Sequence, residues 1–128
     1  MNFAYTILYV DDVQQTIAFY ERAFGLSRKM VHENEYGELA TGATTLSFAA
    51  KPFINSLLSI AIQDGSRETA PPPMEIALVT GDVQAAFDQA VASGAIPVKA
   101  PEAKPWGQIV AHVRDNNGFL VELCTAVE

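Results

Sequence analysis

The sequence repeats itself at a shift of 70 residues, and this repeat limits the folds that the chain can adopt. The shift places Asp12-Val13-Gln14 on Asp82-Val83-Gln84, and it places Tyr36-Gly37 on Trp106-Gly107. It aligns a strand, a helix cap, a helix and a later strand together, so coincidence is a poor explanation for the matches. The repeat therefore predicts two copies of one small structural unit.

Each copy is predicted to fold in the order βαβββ. In the first copy we expect a strand over residues 5–10, a helix over 13–24 and strands near 28–32, 36–40 and 44–50. In the second we expect a strand over 75–79, a helix over 83–92 and strands over 96–99, 109–113 and 119–123. Residues 51–73 connect the copies and end in the polar, proline-rich run DGSRETAPPP. These elements predict one α+β domain over 1–128, with module one at about 1–50, a linker at 51–73 and module two at 74–128.

Composition excludes several classes of partner. The single cysteine, Cys124, rules out a disulfide framework or a multi-cysteine metal site within the chain, and fits a reducing compartment. A net charge of −7 argues against binding to a nucleic-acid backbone. No apolar run approaches the roughly 18 residues of a membrane helix. We therefore expect a cytoplasmic protein with neither a nucleic-acid nor a membrane partner.

One charged residue raises the question of function, because Glu122 interrupts an apolar strand. A carboxylate there must be paired, protonated, bound to a metal or facing a cavity, since burying a bare charge is costly. Side chains alternate between the two faces of a strand. On that basis we expect the following residues to share the helix-free side with Glu122: Tyr5, Glu38, Phe48, Glu75, Gln108 and His112. The repeat is interpreted as matching Glu38 to Gln108 and Phe48 to Glu122. Trp106, beside Gly107, is expected to stack on a planar ligand or to pack at a chain interface.

Three segments resemble the vicinal oxygen chelate superfamily, which includes glyoxalase I, extradiol dioxygenases, and fosfomycin and bleomycin resistance proteins. These segments are YTILYVDDVQQTIAFYERAFGL, EIALVTGDVQAAFDQAVASGA and PWGQIVAHVRDNNGFLVELCT. The resemblance implies two βαβββ modules that form a curved mixed sheet around a cleft, with helices on the outer face, and commonly a homodimer. Whether the modules of one chain face each other or swap between chains stays open.

The resemblance also implies where a metal would bind. Metal-dependent members carry ligands on the first and last strands of each module, which here correspond to Tyr5, Phe48, Glu75 and Glu122. Two carboxylates alone make a weak metal site, so no cofactor is the favoured interpretation. His112 offers an alternative, because Glu75, His112 and Glu122 together could hold a divalent metal ion.

Three functions follow as hypotheses. The favoured one is a metal-free binding protein, similar to the bleomycin resistance group, that sequesters a small aromatic or cationic organic ligand. Acidic residues (Glu38, Glu75, Glu122) and aromatic walls (Tyr5, Phe48, Trp106) motivate it. The first alternative is a metal-dependent lyase, isomerase or dioxygenase that uses Glu75, His112 and Glu122. The second is a structural or regulatory module that binds no small ligand. The sequence identifies neither the ligand nor a catalytic residue.

Overall fold

The computed structural model describes residues 1–127, and the chain divides into two compact units that meet in sequence between Asp64 and Gly65. Each unit contains a four-stranded mixed sheet and belongs to the α+β class. The two βαβββ units that the repeat predicts are confirmed. No helix within residues 1–127 is long and apolar enough to cross a membrane.

The elements follow the predicted order with one addition. The first unit comprises β1 (Tyr5–Val10), α1 (Val13–Phe24), β2 (Ser27–His32), β3 (Tyr36–Ala40), β4 (Thr45–Ala50) and α2 (Lys51–Leu58). The second comprises β5 (Glu75–Val79), α3 (Val83–Ala92), β6 (Ile96–Ala103), β7 (Ile109–Arg114) and β8 (Leu120–Cys124). The sheets have the equivalent strand orders β1-β4-β3-β2 and β5-β8-β7-β6.

The repeated aspartates begin the equivalent helices in both units. The Asp12 side chain accepts a hydrogen bond from the Gln15 backbone N–H at the start of α1, and Asp82 accepts one from Ala85 at the start of α3. Each bond satisfies a backbone donor that the first helical turn leaves without a partner. Gly25 ends α1 in a left-handed conformation (φ 68°), which glycine adopts without steric cost. The local signals in the sequence thus determine these helix ends.

Helix α2 is the element that the sequence did not predict. It begins directly after β4, inside the segment interpreted as a connection, and Pro52 lies in its first turn, where proline costs no hydrogen bond. Its Ile54 is buried, whereas Leu57 is 63% exposed. Eight residues with one buried apolar side chain give too weak a periodicity to identify a helix from sequence.

Phe48 lies in the core of the first unit, so its predicted place on the helix-free face is wrong. Its ring is fully buried and packs against Tyr20 of α1, with ring centroids 5.0 Å apart. The pairing of β1 with β4 places Phe48 beside Leu8 and places Ser47 beside Ile7. Ser47 therefore takes the helix-free position. Strand β4 is buried along its whole length, so its sequence lacks the polar alternation from which a face can be assigned.

Replacing Phe48 by alanine is expected to lower the free energy of unfolding by about 3–5 kcal/mol, because a large buried ring is lost and a cavity remains. Urea denaturation followed by circular dichroism measures the change. The matched control is Leu57→Ala on exposed α2, for which we expect a change within about 0.5 kcal/mol. A loss from Phe48→Ala no larger than that of the control would contradict the core assignment.

The turn between β7 and β8 depends on a buried carboxylate. The Oδ1 atom of Asp115 accepts hydrogen bonds from the backbone N–H groups of Asn117 and Phe119, each at 2.9 Å, and the side chain is fully buried. An aspartate that bonds to the backbone ahead of it stabilises a tight turn. This turn helps to fix the register in which β7 pairs with β8.

Asp115→Ala is expected to destabilise the fold by about 1–3 kcal/mol, since two buried backbone donors lose their acceptor. Asp115→Asn keeps an oxygen at the same place and should cost less than the alanine variant. Urea denaturation of both variants measures the difference. Equal losses for the two would show that the carboxamide oxygen does not replace the carboxylate at the turn.

Candidate functional site

Strand register brings three chemically active side chains together on the helix-free face of the second sheet. Strand β8 is the inner partner of both β5 and β7. In the register, Glu122 lies opposite Ala77 of β5 and opposite His112 of β7. Glu75 is two residues before Ala77 and so shares its face. Alternation along three neighbouring strands therefore gathers Glu75, His112 and Glu122, as the sequence predicts, while their role stays a prediction.

The three side chains are close enough to share one ion or one proton donor. The His112 Nε2 atom lies 2.9 Å from Glu75 Oε2 and 3.5 Å from Glu122 Oε1. One donor atom from each residue falls within 4.8 Å of the other two. Glu122 is only 21% exposed, whereas Glu75, at the first position of the edge strand β5, is 42% exposed. Glu122 is accommodated in its apolar strand because its side chain keeps partial contact with solvent and lies beside the His112 imidazole.

Two of the three donor separations in this group lie close to those found around a divalent transition metal. Bonds of about 2.1 Å place neighbouring ligands of a tetrahedral or octahedral ion roughly 3.0–3.4 Å apart. The two measured separations from His112, 2.9 and 3.5 Å, lie close to that range. Two carboxylates and an imidazole are ligands that such ions accept, and three protein ligands leave coordination positions for other molecules. We name Glu75, His112 and Glu122 the EHE cluster.

The surroundings of the EHE cluster combine a buried thiol with two cations. Cys124, two residues beyond Glu122 on the same face, is buried. Burial raises the pKa of its thiol, and the Glu122 and Glu75 carboxylates raise it further, so this cysteine stays protonated and unreactive near neutral pH. Lys99 of β6 is the cross-strand neighbour of His112. Arg114 lies two residues after His112 on β7 and is the cross-strand neighbour of Leu120. Sequence reasoning did not single out either cation.

The matching positions of the first unit carry different chemistry. There Ile7, Ser47 and Glu38 lie side by side in the register. Ser47 thus corresponds to Glu122, and Glu38 corresponds to His112, so the earlier matches of Phe48 to Glu122 and of Glu38 to Gln108 are wrong. The match of Phe48 is wrong because the fully buried β4 offers no polar alternation to fix the alignment. The match of Glu38 is wrong because Glu38 and His112 lie 74 positions apart, so the shift of 70 residues does not hold at β3 and β7.

The Glu38 carboxylate is hydrogen-bonded to a tyrosine hydroxyl and does not belong to a group of side chains that could bind a metal ion. The Tyr36 hydroxyl donates to Glu38 Oε2 at 2.8 Å. Burial raises the pKa of the Tyr36 hydroxyl, and the bond to Glu38 raises it as well. Tyr5, predicted as a binding residue, is about half exposed on β1. Within residues 1–127, Glu38 forms no three-donor group with other histidine, cysteine or acidic side chains.

Trp106 and Gln108 form a second polar arrangement in the second unit. The Trp106 indole N–H donates to Gln108 Oε1 at 2.6 Å, and the Gln108 amide donates to the Thr125 carbonyl at 2.8 Å. The indole ring is 66% exposed and is held in place by these bonds. Such a ring can stack on a planar or cationic group. Within residues 1–127, neither residue is hydrogen-bonded to the EHE cluster.

The structure also groups His32, Glu33 and Glu35 at the turn between β2 and β3, which sequence reasoning missed. Their proximity follows from the turn itself, because the three residues are almost consecutive. Their side chains are largely exposed, and exposed acidic groups often cluster without binding an ion. The spacing in the segment HENE is the signal by which sequence could have found them.

Comparison with solved structures shows what the chain is similar to. A glyoxalase-related enzyme from Fulvimarina pelagi is 19% identical, with a TM-score of 0.84 over 98% of this chain and 88% of that one. TioX from Micromonospora sp. ML1 is 21% identical, with a TM-score of 0.73 over 98% of each chain. A glyoxalase/bleomycin resistance protein/dioxygenase family enzyme from Burkholderia phytofirmans PsJN is 20% identical, with a TM-score of 0.75 over 100% of both chains. At these identities the likeness shows the fold alone.

A family profile extends the comparison to the sequence itself. Among curated proteins, none matches this chain. The profile described as Glyoxalase/Bleomycin resistance protein/Dioxygenase superfamily matches residues 2–123, nearly the whole chain. That span includes all three residues of the EHE cluster and both βαβββ units, apart from Cys124 at the end of β8. The protein therefore belongs to the glyoxalase/bleomycin resistance protein/dioxygenase superfamily.

Proposed function

We propose that the second unit binds one divalent transition-metal ion through Glu75, His112 and Glu122, and that the ion holds a small organic ligand. The carrying observation is the position of His112 Nε2 between two carboxylates, at 2.9 and 3.5 Å. The metal-free interpretation relies partly on Phe48 as an aromatic wall of that face. Since Phe48 lies in the core, that argument is lost.

The residues of the EHE cluster differ in what each contributes. Glu122, on an inner strand and largely shielded from solvent, supplies a donor whose position the sheet fixes. Glu75, on the edge strand and more exposed, is the donor with more freedom to move. His112 must present an unprotonated Nε2 to an ion, so it gives up the hydrogen bond to Glu75 when metal binds. Two carboxylate charges then balance the charge of a divalent ion.

A divalent ion held there would supply Lewis acidity to a ligand oxygen, which is the chemistry of metal-dependent lyases and isomerases, whereas a dioxygenase would also need O₂ and a redox-active metal. The protein would contribute the fixed donors, with the buried Cys124 thiol beside them. Which of these reactions the protein catalyses is a hypothesis, and metal binding has to be measured before it can be tested.

We expect the purified protein to bind close to one equivalent of Mn²⁺, Ni²⁺ or Zn²⁺ in isothermal titration calorimetry. Glu122→Gln should weaken binding by about 100-fold or more, since losing even the outer partners of a metal ligand costs 10- to 100-fold. Binding should also weaken as the pH is lowered, because protons compete with the ion for all three donors.

The control for the metal titration is Glu38→Gln, which removes a carboxylate at the position of the first unit that corresponds to His112. This variant should bind metal like the wild type. Saturable binding that Glu38→Gln weakens as much as Glu122→Gln does would place the ion elsewhere. An absence of saturable binding by wild-type protein would overturn the metal proposal.

The second candidate function is metal-free binding of a small cationic aromatic compound. The observation that favours it is the exposed, hydrogen-bonded Trp106 ring in the same unit as two carboxylates. A cation placed between an aromatic face and acidic groups gains both cation–π and Coulomb attraction. Sequestration of such a compound, as in bleomycin resistance proteins, requires no catalytic residue.

Trp106 is the only tryptophan, so its fluorescence reports directly on this second candidate. With chelator present, a cationic aromatic dye should quench the emission saturably, and Glu122→Gln should weaken the quenching. High salt should weaken it too, since the interaction is partly electrostatic. Linear, non-saturating quenching that salt leaves unchanged would contradict the candidate. Failure of both titrations would favour a module that binds no small ligand.

We also propose that the protein forms a homodimer, as superfamily members commonly do. Apolar side chains that remain exposed at the beginning of the chain support this proposal: Phe3, Tyr5 and Ile7. Two of them belong to β1, an edge strand of the first sheet. Sedimentation velocity across a range of concentrations tests the proposal, and a purely monomeric profile would contradict it.

A further inference from the structure

We infer that Arg114 is a positioning residue that sets the place of Glu75 by holding the 66–69 loop, the four residues from Ser66 to Thr69. The inference rests on the proposed function only in that Glu75 is taken as a metal ligand. The role itself concerns the protein without metal, where Glu75 bonds to His112.

The Arg114 guanidinium binds the loop through three backbone carbonyls. It donates to the carbonyl oxygens of Ser66 at 3.1 Å, Arg67 at 3.2 Å and Thr69 at 2.7 Å. Its Nε also donates to the Gly118 carbonyl at 2.8 Å. One side chain of β7 therefore ties the loop to the turn between β7 and β8.

The loop is itself preformed and packs closely on that turn. The Thr69 hydroxyl accepts from the Ser66 N–H at 2.9 Å and donates to the Ser66 carbonyl at 3.0 Å. Gly118 adopts φ +92°, and a Cβ atom added there would overlap the Ser66 carbonyl. The close approach leaves the loop little freedom to shift as long as Arg114 holds it.

A short and stiff segment joins the loop to Glu75. Residues 71–73 are three consecutive prolines, whose φ angles are fixed by their rings. The Met74 N–H then donates to the Pro72 carbonyl at 2.7 Å, and β5 begins at the next residue, Glu75. A displacement of the loop is therefore transmitted along the chain to the beginning of β5.

The same elements carry the other two residues of the EHE cluster. Arg114 lies two residues after His112 on β7, and Gly118 lies four residues before Glu122. Arg114 pairs with Leu120, which pairs in turn with Glu75. The loop contacts thus add a second connection between the strand of His112 and the strand of Glu75, besides the sheet itself.

Arginine suits this task better than lysine. The guanidinium presents five donors in a planar fork, enough to reach four carbonyls at once, whereas an ammonium has three donors on one atom. In the described part of the chain, no carboxylate forms a salt bridge with Arg114. The backbone carbonyls of the loop and the turn are therefore the principal partners of this charge.

The test uses the full-length, metal-free protein and its two histidines, His32 and His112, observed by ¹⁵N NMR of the imidazole rings. Arg114→Lys keeps the positive charge but removes the planar set of guanidinium donors that reach the four carbonyls. We expect it to move the His112 signals in the direction in which Glu75→Gln moves them, because both weaken the bond between His112 and Glu75. In the Glu75→Gln background, Arg114→Lys should produce little further change.

Two other variants complete the experiment. Arg28→Lys is the matched control, because Arg28 pairs with Glu21 on the surface of the first unit, and it should leave His112 unchanged. Thr69→Ala removes the hydroxyl that bonds to Ser66 within the loop and leaves the Arg114 side chain unchanged. It takes the place of Arg114→Lys if that variant fails to fold. A purely structural role would lower the unfolding temperature without moving the His112 signals.

The outcomes separate this inference from the proposed function. His112 signals that stay at their wild-type values in folded Arg114→Lys or Thr69→Ala protein would overturn the positioning role. If the signals move but wild-type protein binds no metal, the positioning role stands and the proposed function is wrong. If metal does bind, Arg114→Lys should weaken it by about 10- to 100-fold, as changes around a ligand commonly do.

Discussion

The pairing of β8 with β5 on one side and β7 on the other is the constraint on which the second unit depends. Parallel pairing to β5 aligns Glu122 with Ala77, and antiparallel pairing to β7 aligns it with His112. A slip of one residue on either side would turn a residue of the EHE cluster toward α3 and turn an apolar residue outward. Such a slip is opposed by the buried apolar face of the sheet, which includes Val113, Val121 and Leu123. Packing on the helix side thus fixes the chemistry on the other side.

The first unit shows that this framework alone does not specify function. It has the same strand order and register, yet Ser47 stands where the second unit has Glu122, and Glu38 stands where it has His112. The Ser47 hydroxyl donates to the Thr6 carbonyl, and the Glu38 carboxylate accepts from the Tyr36 hydroxyl, so both have partners within the unit. Fold and site are therefore separable in this chain, as in many superfamilies. Three differences on one framework account for the different chemical capacity of the units, because Tyr5 also stands where the second unit has Glu75.

The sequence predicted those parts of the structure that local signals determine. The N-cap residues Asp12 and Asp82 mark the beginnings of α1 and α3. The alternation along β7 places His112 on the face of the sheet away from the buried Val113. It failed at β4, where every residue is buried and alternation carries no information. The bonds from Arg114 to the 66–69 loop could not be foreseen either, since they join residues 45 to 48 positions apart. The contacts that locate Glu75 are tertiary, so no local pattern encodes them.

The charges of the EHE cluster give the two candidate functions opposite ligand preferences. Without metal, two carboxylates around one imidazole attract a cation, and the ligand must be positively charged or neutral. With a divalent ion bound, the carboxylate charges would be balanced, and the open coordination positions of the ion would accept oxygen donors. An anionic oxygen donor then becomes the better ligand. The metal state of this cluster therefore decides which class of molecule the same three residues select.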